Sequence, residues 1–174
     1  MPGTAERPRD DVAGRLGGLF DTHHQRLYRL ARRLTRSADD ARDMVQETFL
    51  RAARSPESIP DGHSHEEAWL VRVLVNICRD GWRKTAVRSR AHGVDIPAIS
   101  GDNPEAAVMA RTMVWGALQS LPPRRRAILV MYELEGAGIP AIAKLLGVSP
   151  VTVRWHLSRG RRELAALLAP KQSS

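Results

Sequence analysis

Apolar residues recur at intervals of three and four positions along most of the chain, which is the spacing of an amphipathic helix. In the first half, one series runs from Leu16 to Leu34, a second follows Ser37 in the segment ADDARDMVQETFLRAAR, and a third runs from Glu66 to about Lys84. The alternation of apolar and polar residues that is typical of strands is almost absent. The pattern therefore predicts an all-α fold.

The helical period stops after Lys84 and returns after Asn103. The segment between them, TAVRSRAHGVDIPAISGD, holds the glycine, proline and serine that are typical of a linker. Helical segments resume at Pro104 and again at Pro123. We predict two small helical domains joined by a flexible linker, with these parts: a disordered N-terminus at 1–12, a first domain at 13–84, the linker at 85–102, a second domain at 103–169 and a tail at 170–174.

The segment IPAIAKLLGVSPVTVRWHLSRGRREL predicts a helix-turn-helix. Its first helix runs from about Pro140 to Leu146, and Gly147 permits a sharp turn. Ser149 is a good N-cap and Pro150 is tolerated in the first turn, so a second helix begins there. One narrow sector of this second helix is predicted to pack on a core, and it consists of Val153, Leu157, Gly160, Leu164 and Leu167.

The remaining arc of the second helix faces outward and is rich in arginine. Such an arc is often only a solvated surface. In a helix-turn-helix, however, the second helix lies in the major groove, with its N-terminal residues at the base edges and other basic residues on phosphates. We therefore predict nucleic-acid binding by the outward arc, which comprises Thr152, Arg154, Trp155, Ser158, Arg159, Arg161 and Arg162.

Composition agrees with this interpretation. The chain has 174 residues and a formal net charge of +8, which favours a polyanionic partner or an acidic protein surface. The single cysteine, Cys78, excludes an intramolecular disulfide and suits a reducing compartment. The sequence shows neither a signal peptide nor an apolar run that would span a bilayer. We predict a cytoplasmic protein without membrane insertion.

No constellation in the sequence predicts an enzyme or a cofactor. His63 and His65 form an H-x-H pattern beside acidic residues, but they lie in a loop without a third histidine, so no metal site is predicted. His23 and His24 are interpreted as a helix-surface or half-buried pair.

Several motifs together resemble the extracytoplasmic-function (ECF) sigma factors of bacterial RNA polymerase. DDARDMVQETFLRAAR is similar to the acidic helix of that family. EEAWLVRVLVNICRDGWRK is similar to the helix that follows it. LPPRRRAILVMYELEG and the helix-turn-helix resemble the family's C-terminal domain. The resemblance covers roughly residues 14–168, in the family's order.

The resemblance implies that the first domain is sigma region 2, which binds the β′ clamp helices of the core polymerase and opens the −10 promoter element. The polymerase-facing positions would be Asp43, Gln46 and Glu47. The −10 positions would be Arg72, Asn76, Arg79, Arg83 and Lys84. The loop at residues 55–65 would capture a flipped-out base.

The second domain would be sigma region 4, which reads the −35 element and contacts the β flap. Arg154, Trp155, Ser158 and Arg159 match the family's reading positions. Arg161, Arg162 and the run Arg124 to Arg126 would contact phosphates. The family also implies an anti-sigma partner, and the chemistry of transcription would belong to the polymerase.

Two departures from the family pattern affect these expectations. Trp155 is large for a groove-facing position, and Gly160 replaces a common alanine at a cost of roughly 1 kcal/mol of helix propensity unless close packing needs it. Two other functions remain open at this point, namely a stand-alone helix-turn-helix regulator and a metal-dependent enzyme built on the H-x-H loop.

Overall fold

The structure is a computed structural model that describes residues 8–35, 37–89 and 104–169. Side chains are described for residues 12–35, 37–82 and 112–169. The described residues contain seven α-helices and no strand, as the hydrophobic period predicts. The chain divides into two compact units, Met1–Ile77 and Cys78–Ser174.

The helices of the first half are α1 at Pro8–Leu34, α2 at Ala38–Arg54 and α3 at His63–Ser89. A short 3₁₀ turn at Pro56–Ser58 follows α2. Ser37 caps α2, because its side-chain oxygen accepts a hydrogen bond of 3.0 Å from the backbone N–H of Asp40. The packed interior is formed by leucine side chains that solvent barely reaches, among them Leu27, Leu30, Leu34, Leu70 and Leu74.

Two helices extend beyond the bounds that the sequence predicts. Helix α1 already begins at Pro8, so the expectation of disorder is wrong for residues 8–12. Helix α3 begins at His63, so residues 63–65 are helical and not loop, and it continues to Ser89, so residues 85–89 are helical and not linker. The added segments hold few apolar residues, Val12 in α1 and Ala86 and Val87 in α3, so periodicity gives only a weak signal for them. The predictions for residues 1–7, 90–102 and 170–174 lie outside the described residues.

The helices of the second half are α4 at Pro104–Ser120, α5 at Pro123–Leu129, α6 at Ile139–Leu146 and α7 at Pro150–Leu168. Helix α5 continues into a π-helical turn at Val130–Leu134. Helix α7 packs against α4, α5 and α6. The buried side chains at this junction include Leu121, Ile128, Met131, Ile142, Val153 and Leu157.

Helices α6 and α7 form the predicted helix-turn-helix. Gly147 ends α6 with a φ of 63°, in the left-handed region that glycine adopts without strain. Ser149 then caps α7, and its side-chain oxygen accepts a hydrogen bond of 3.1 Å from the backbone N–H of Thr152. Val153, Leu157 and Gly160 are buried. The predictions of the turn and the cap are confirmed, and the predicted buried sector is confirmed for these three residues. Its other two members, Leu164 and Leu167, are only half-buried.

Gly160 lies where α7 crosses α5 closely. A Cβ atom at this position would lie 2.6 Å from Cδ1 of Leu129 and 3.1 Å from Cγ of Arg125. A contact of 2.6 Å between carbon atoms is far inside their optimal separation of roughly 3.5 to 4.0 Å. Close packing therefore explains the glycine that helix propensity disfavours.

Arg126 joins α5 to the end of α4. Its guanidinium donates to the backbone oxygen of Gln119 at 2.8 Å, to that of Leu121 at 3.1 Å and to the side-chain oxygen of Gln119 at 2.7 Å. These carbonyls lie at the C-terminus of a helix, where acceptors lack intrahelical partners and a cation is favourable. The prediction of a phosphate contact is wrong for Arg126, because its side chain is only 2% exposed.

No helix among those described has both the length and the apolar character needed to cross a membrane.

Candidate nucleic-acid and polymerase interfaces

The outward face of α7 begins in its first turn. Arg154, Trp155, Ser158 and Arg162 are all exposed on this face. Val151 joins them and is 69% exposed. At about 100° per residue, Val151, Arg154, Trp155 and Ser158 share one side of the helix over its first three turns. The face therefore combines a cation, a hydroxyl and two apolar groups.

Two arginines lie over the ring of Trp155. The guanidinium carbon of Arg125 lies 5.5 Å from the centroid of the indole, and that of Arg159 lies 5.9 Å from it. Both distances suit cation–π attraction, which contributes about 0.5 to 1 kcal/mol at exposed sites. The indole remains 52% exposed, so the two arginines contact it without covering it.

Glu163 binds both of these arginines. Its Oε2 accepts a short hydrogen bond from Nη1 of Arg125, and its Oε1 accepts one of 3.2 Å from Nε of Arg159. Arg125 comes from α5 and has a side chain that is only 10% exposed. The network of Arg125, Arg159 and Glu163 therefore fixes Trp155 to the framework of the domain. The prediction of a phosphate contact does not suit the buried Arg125, whereas Arg124 is exposed and its phosphate contact stays a prediction.

Arg161 is engaged with the π-helical turn. Its Nη2 lies 2.7 Å from Oε1 of Glu133, and its guanidinium carbon lies 5.3 Å from the ring centroid of Tyr132. The hydrogen bond and the charge of Glu133 both raise the pKa of Arg161. Arg161 is therefore a fully charged cation that is paired with Glu133 at the edge of the outward face.

His156 lies beside this network. Burial, followed by the positive charges of Arg125 and Arg124, lowers the pKa of His156 below its usual 6.5. The ring is therefore mainly neutral at pH 7. The ring is nearly perpendicular to that of Trp155, with an angle of 74° between the planes and a centroid distance of 4.8 Å.

The candidate −10 residues lie along α3. Arg72, Asn76 and Arg79 are half-buried and are spaced by four and three positions, so they share one side of the helix. Nε of Arg79 lies 3.6 Å from Oδ1 of Asp80. The side chains of Arg83 and Lys84 lie outside the described residues.

The candidate polymerase-binding residues lie on α2. Asp43 and Gln46 are exposed, and Glu47 is half-buried. Oε1 of Glu47 lies 3.0 Å from Nε of Arg51 and 3.6 Å from Nη1 of Arg54. Asp43 and Gln46 are therefore directly accessible to a partner. The carboxylate of Glu47 is already paired with Arg51 and Arg54, and a basic partner would compete with these two ion pairs.

The loop between α2 and α3 is fastened to α1. Nη2 of Arg15 donates to the backbone oxygen of Ile59 and to Oδ1 of Asp61, each at 2.9 Å. His23 stacks on His63 at a centroid distance of 4.8 Å. His23 is only 2% exposed, so its interpretation as a surface or half-buried residue is wrong.

In the part of the chain that the structure describes, no three histidine, cysteine or acidic side chains are grouped to hold a metal ion.

Sequence reasoning missed the contributions of Val151, Arg125 and Glu163 to the outward face. Val151 precedes Trp155 by four positions, and this spacing would have placed both on one side of the helix. The pairing of Arg125 with Glu163 gives no comparable signal, because it joins residues 38 positions apart on two helices.

The fold of the second unit defines a class of protein, the helix-turn-helix proteins. Comparison with protein families is more specific. The model of sigma-70 region 2 matches residues 19–88, and that of sigma-70 region 4 matches residues 111–164.

The chain is 36% identical over 161 residues to the ECF RNA polymerase sigma factor SigE of Mycolicibacterium smegmatis, covering 89% of this chain and 62% of SigE. It is 35% identical over 150 residues to the ECF sigma factor SigM of Mycobacterium tuberculosis, covering 86% of this chain and 75% of SigM. The chain belongs to the ECF sigma factor family.

A solved structure has the same fold. It is that of the sigma factor RpoE from Bartonella quintana in complex with the anti-sigma factor NepR, with a TM-score of 0.57 and 23% identity. The match covers 93% of this chain and 99% of that one.

Proposed function

We propose that this protein binds bacterial core RNA polymerase, recognises the −35 and −10 promoter elements, melts the promoter and directs transcription initiation. The observation that carries the proposal is the presence of both sigma-70 regions, in order, in one chain. A stand-alone regulator would need the helix-turn-helix but not the acidic face of α2.

The −35 element would be read by the first turns of α7. Arg154 has the position and the chemistry to donate two hydrogen bonds to one guanine. Thr152, Trp155, Ser158 and Arg159 would complete the reading surface, while Arg161 and Arg162 would contact phosphates. Phosphate contacts supply affinity and register, and base contacts supply sequence specificity.

The −10 element would be bound along α3 by Arg72, Asn76, Arg79, Arg83 and Lys84. Cations suit the backbone of a separated strand, and the amide of Asn76 suits a base edge. The segment at 55–65, whose last three residues form the start of α3, would receive an extruded base. The bonds from Arg15 to Ile59 and Asp61 support this role because a pocket for one base requires a fixed wall.

Core polymerase would be bound through the acidic side of α2. Asp43 and Gln46 are exposed there, and Glu47 lies one helical turn from Asp43. Acidic groups at an interface increase the rate of association with a basic partner surface and disfavour wrong partners.

The β flap is the proposed contact of the second domain. Family membership also supports an anti-sigma partner and a cytoplasmic location.

The test is reconstitution with sigma-free bacterial core polymerase and a library of promoters with varied −35 and −10 elements. We expect a stable complex and sequence-selective initiation. Asp43→Lys should weaken binding to core, whereas Asp21→Lys, the same charge reversal at an exposed position of α1, should not. Tight duplex binding by the chain alone, without any binding to core, would refute the proposal and favour a stand-alone regulator.

A further inference from the structure

Two of the large apolar side chains that the described part of the chain exposes lie together at the start of α7. Val151 is 69% exposed and Trp155 is 52% exposed. They are four positions apart, and the charged Arg154 stands beside them on the same face. An indole exposed to this extent leaves apolar area in water, which is unfavourable unless a partner covers it.

The orientation of the indole is also restricted by two neighbouring arginines. Arg125 and Arg159 lie at 5.5 and 5.9 Å from its centroid. Glu163 binds both guanidinium groups, and Arg125 is anchored in the interior. Ordering the side chain before binding lowers the entropy cost of the complex. This arrangement is expected for a side chain that contacts a partner at a defined position.

The chemistry of the major groove limits what an apolar face can read. Among the four bases, only thymine carries an apolar substituent there, its 5-methyl group; cytosine has a bare C–H at that position, and the O and N groups of the base edges are hydrogen-bond donors or acceptors. The indole has a single donor and no acceptor, so it is poorly suited to the polar edges of the other bases. Val151 has no polar side-chain atom at all.

We propose that Val151 and Trp155 form an apolar reading face for the methyl group of a thymine in the −35 element, and that Arg125 and Glu163 position the indole. The inference rests on the proposed function insofar as it places α7 in promoter DNA. It assigns a base preference to Trp155 and a positioning role to Arg125 and Glu163.

The test compares thymine with deoxyuridine, which lacks only the methyl group and keeps the same hydrogen-bonding edge. Duplexes are first selected from a randomised pool by the full-length protein alone at low salt. Each thymine of the selected site is then replaced in turn, and dissociation constants are measured by fluorescence anisotropy. We expect binding about fourfold weaker at one or two thymines, the factor that burial of one methyl-sized group gives.

The variants separate reading from positioning. Trp155→Ala should lose most of the discrimination between thymine and deoxyuridine, with Val151 supplying what remains, and it should fold normally because about half of the tryptophan surface is exposed. Glu163→Gln should reduce the discrimination without abolishing it, since the neutral amide holds the two arginines less firmly. Val114→Ala, which truncates an exposed apolar residue on α4, should discriminate as the unmodified protein does.

Three results would overturn the inference. They are the absence of any selected duplex, equal binding of thymine and deoxyuridine at every position by the unmodified protein, and full discrimination by Trp155→Ala. The proposed function is tested separately by initiation with core polymerase. A protein that discriminates the methyl group but never initiates would refute the sigma activity and leave the reading face intact.

Discussion

Replacing Gly160 with alanine should destabilise the second unit, although alanine is the better helix former. The gain in helix propensity is about 1 kcal/mol. The new Cβ would lie 2.6 Å from Cδ1 and 3.2 Å from Cγ of Leu129, and 3.1 Å from Cγ of Arg125. Leu129 is only 2% exposed, so its side chain would have to shift within the packed interior. Overpacking a tight core costs about 1 to 3 kcal/mol, and these contacts favour the upper part of that range.

The net expectation is a loss of about 1 to 2 kcal/mol in the free energy of unfolding, from a cost of about 2 to 3 less a gain of about 1. Urea unfolding followed by circular dichroism measures the loss, and hydrogen exchange of the α7 amides assigns it to this unit. Gly116→Ala is the matched control, because it lies in α4 with no atom within 4 Å of an added Cβ. It should stabilise by about 0.5 to 1 kcal/mol. Equal stabilisation by both substitutions would refute the close-packing argument.

Three further predictions concern the same unit. Ser149→Ala should lower the free energy of unfolding by about 1 kcal/mol through loss of the cap on α7, and an unchanged urea midpoint would contradict the role of the cap. Arg154→Ala should cost about 1 to 3 kcal/mol of discrimination at one −35 base pair, whereas Arg162→Ala should weaken binding to all sequences and reduce the salt slope by about 1. Measured affinities that fall equally on every promoter for Arg154→Ala would exclude base reading. Folding lowers the pKa of His156 below its unfolded value of 6.5. The neutral ring therefore contributes to the free energy of unfolding above pH 6.5. That contribution should be lost as the pH falls from 6.5 through the lower pKa of the folded state. His156→Gln should flatten this part of a pH titration of the urea midpoint, and an unchanged slope would argue against the shift.

The helix-turn-helix was predictable because its signals are local. Gly147 adopts the left-handed conformation that the turn requires, and Ser149 caps the next helix through a bond to a residue three positions away. The buried sector of α7 followed from the helical period alone. Such features depend on a few neighbouring residues, and the sequence contains all of them.

The ends of α1 and α3 were less predictable. Both helices extend into segments that hold only a few apolar residues, so the hydrophobic period marks their ends weakly. The positions of Arg126 and His23 were also misjudged, because both residues are typical of surfaces but here lie buried. For Arg126, the carbonyl oxygens at the end of α4 accept hydrogen bonds from the guanidinium and so provide the compensation that burial of a charge requires.

By itself, the sequence determined the helical class, the turn geometry and the face of α7 that points outward, because helical period and caps act over three or four residues. Only the tertiary structure decided what that face contains. Arg125 reaches Trp155 and Glu163 from another helix, and Gly160 is needed because α5 passes close to α7 at that position. The sequence specifies which side chains are present, but the residues that each side chain contacts depend on how the two helices cross.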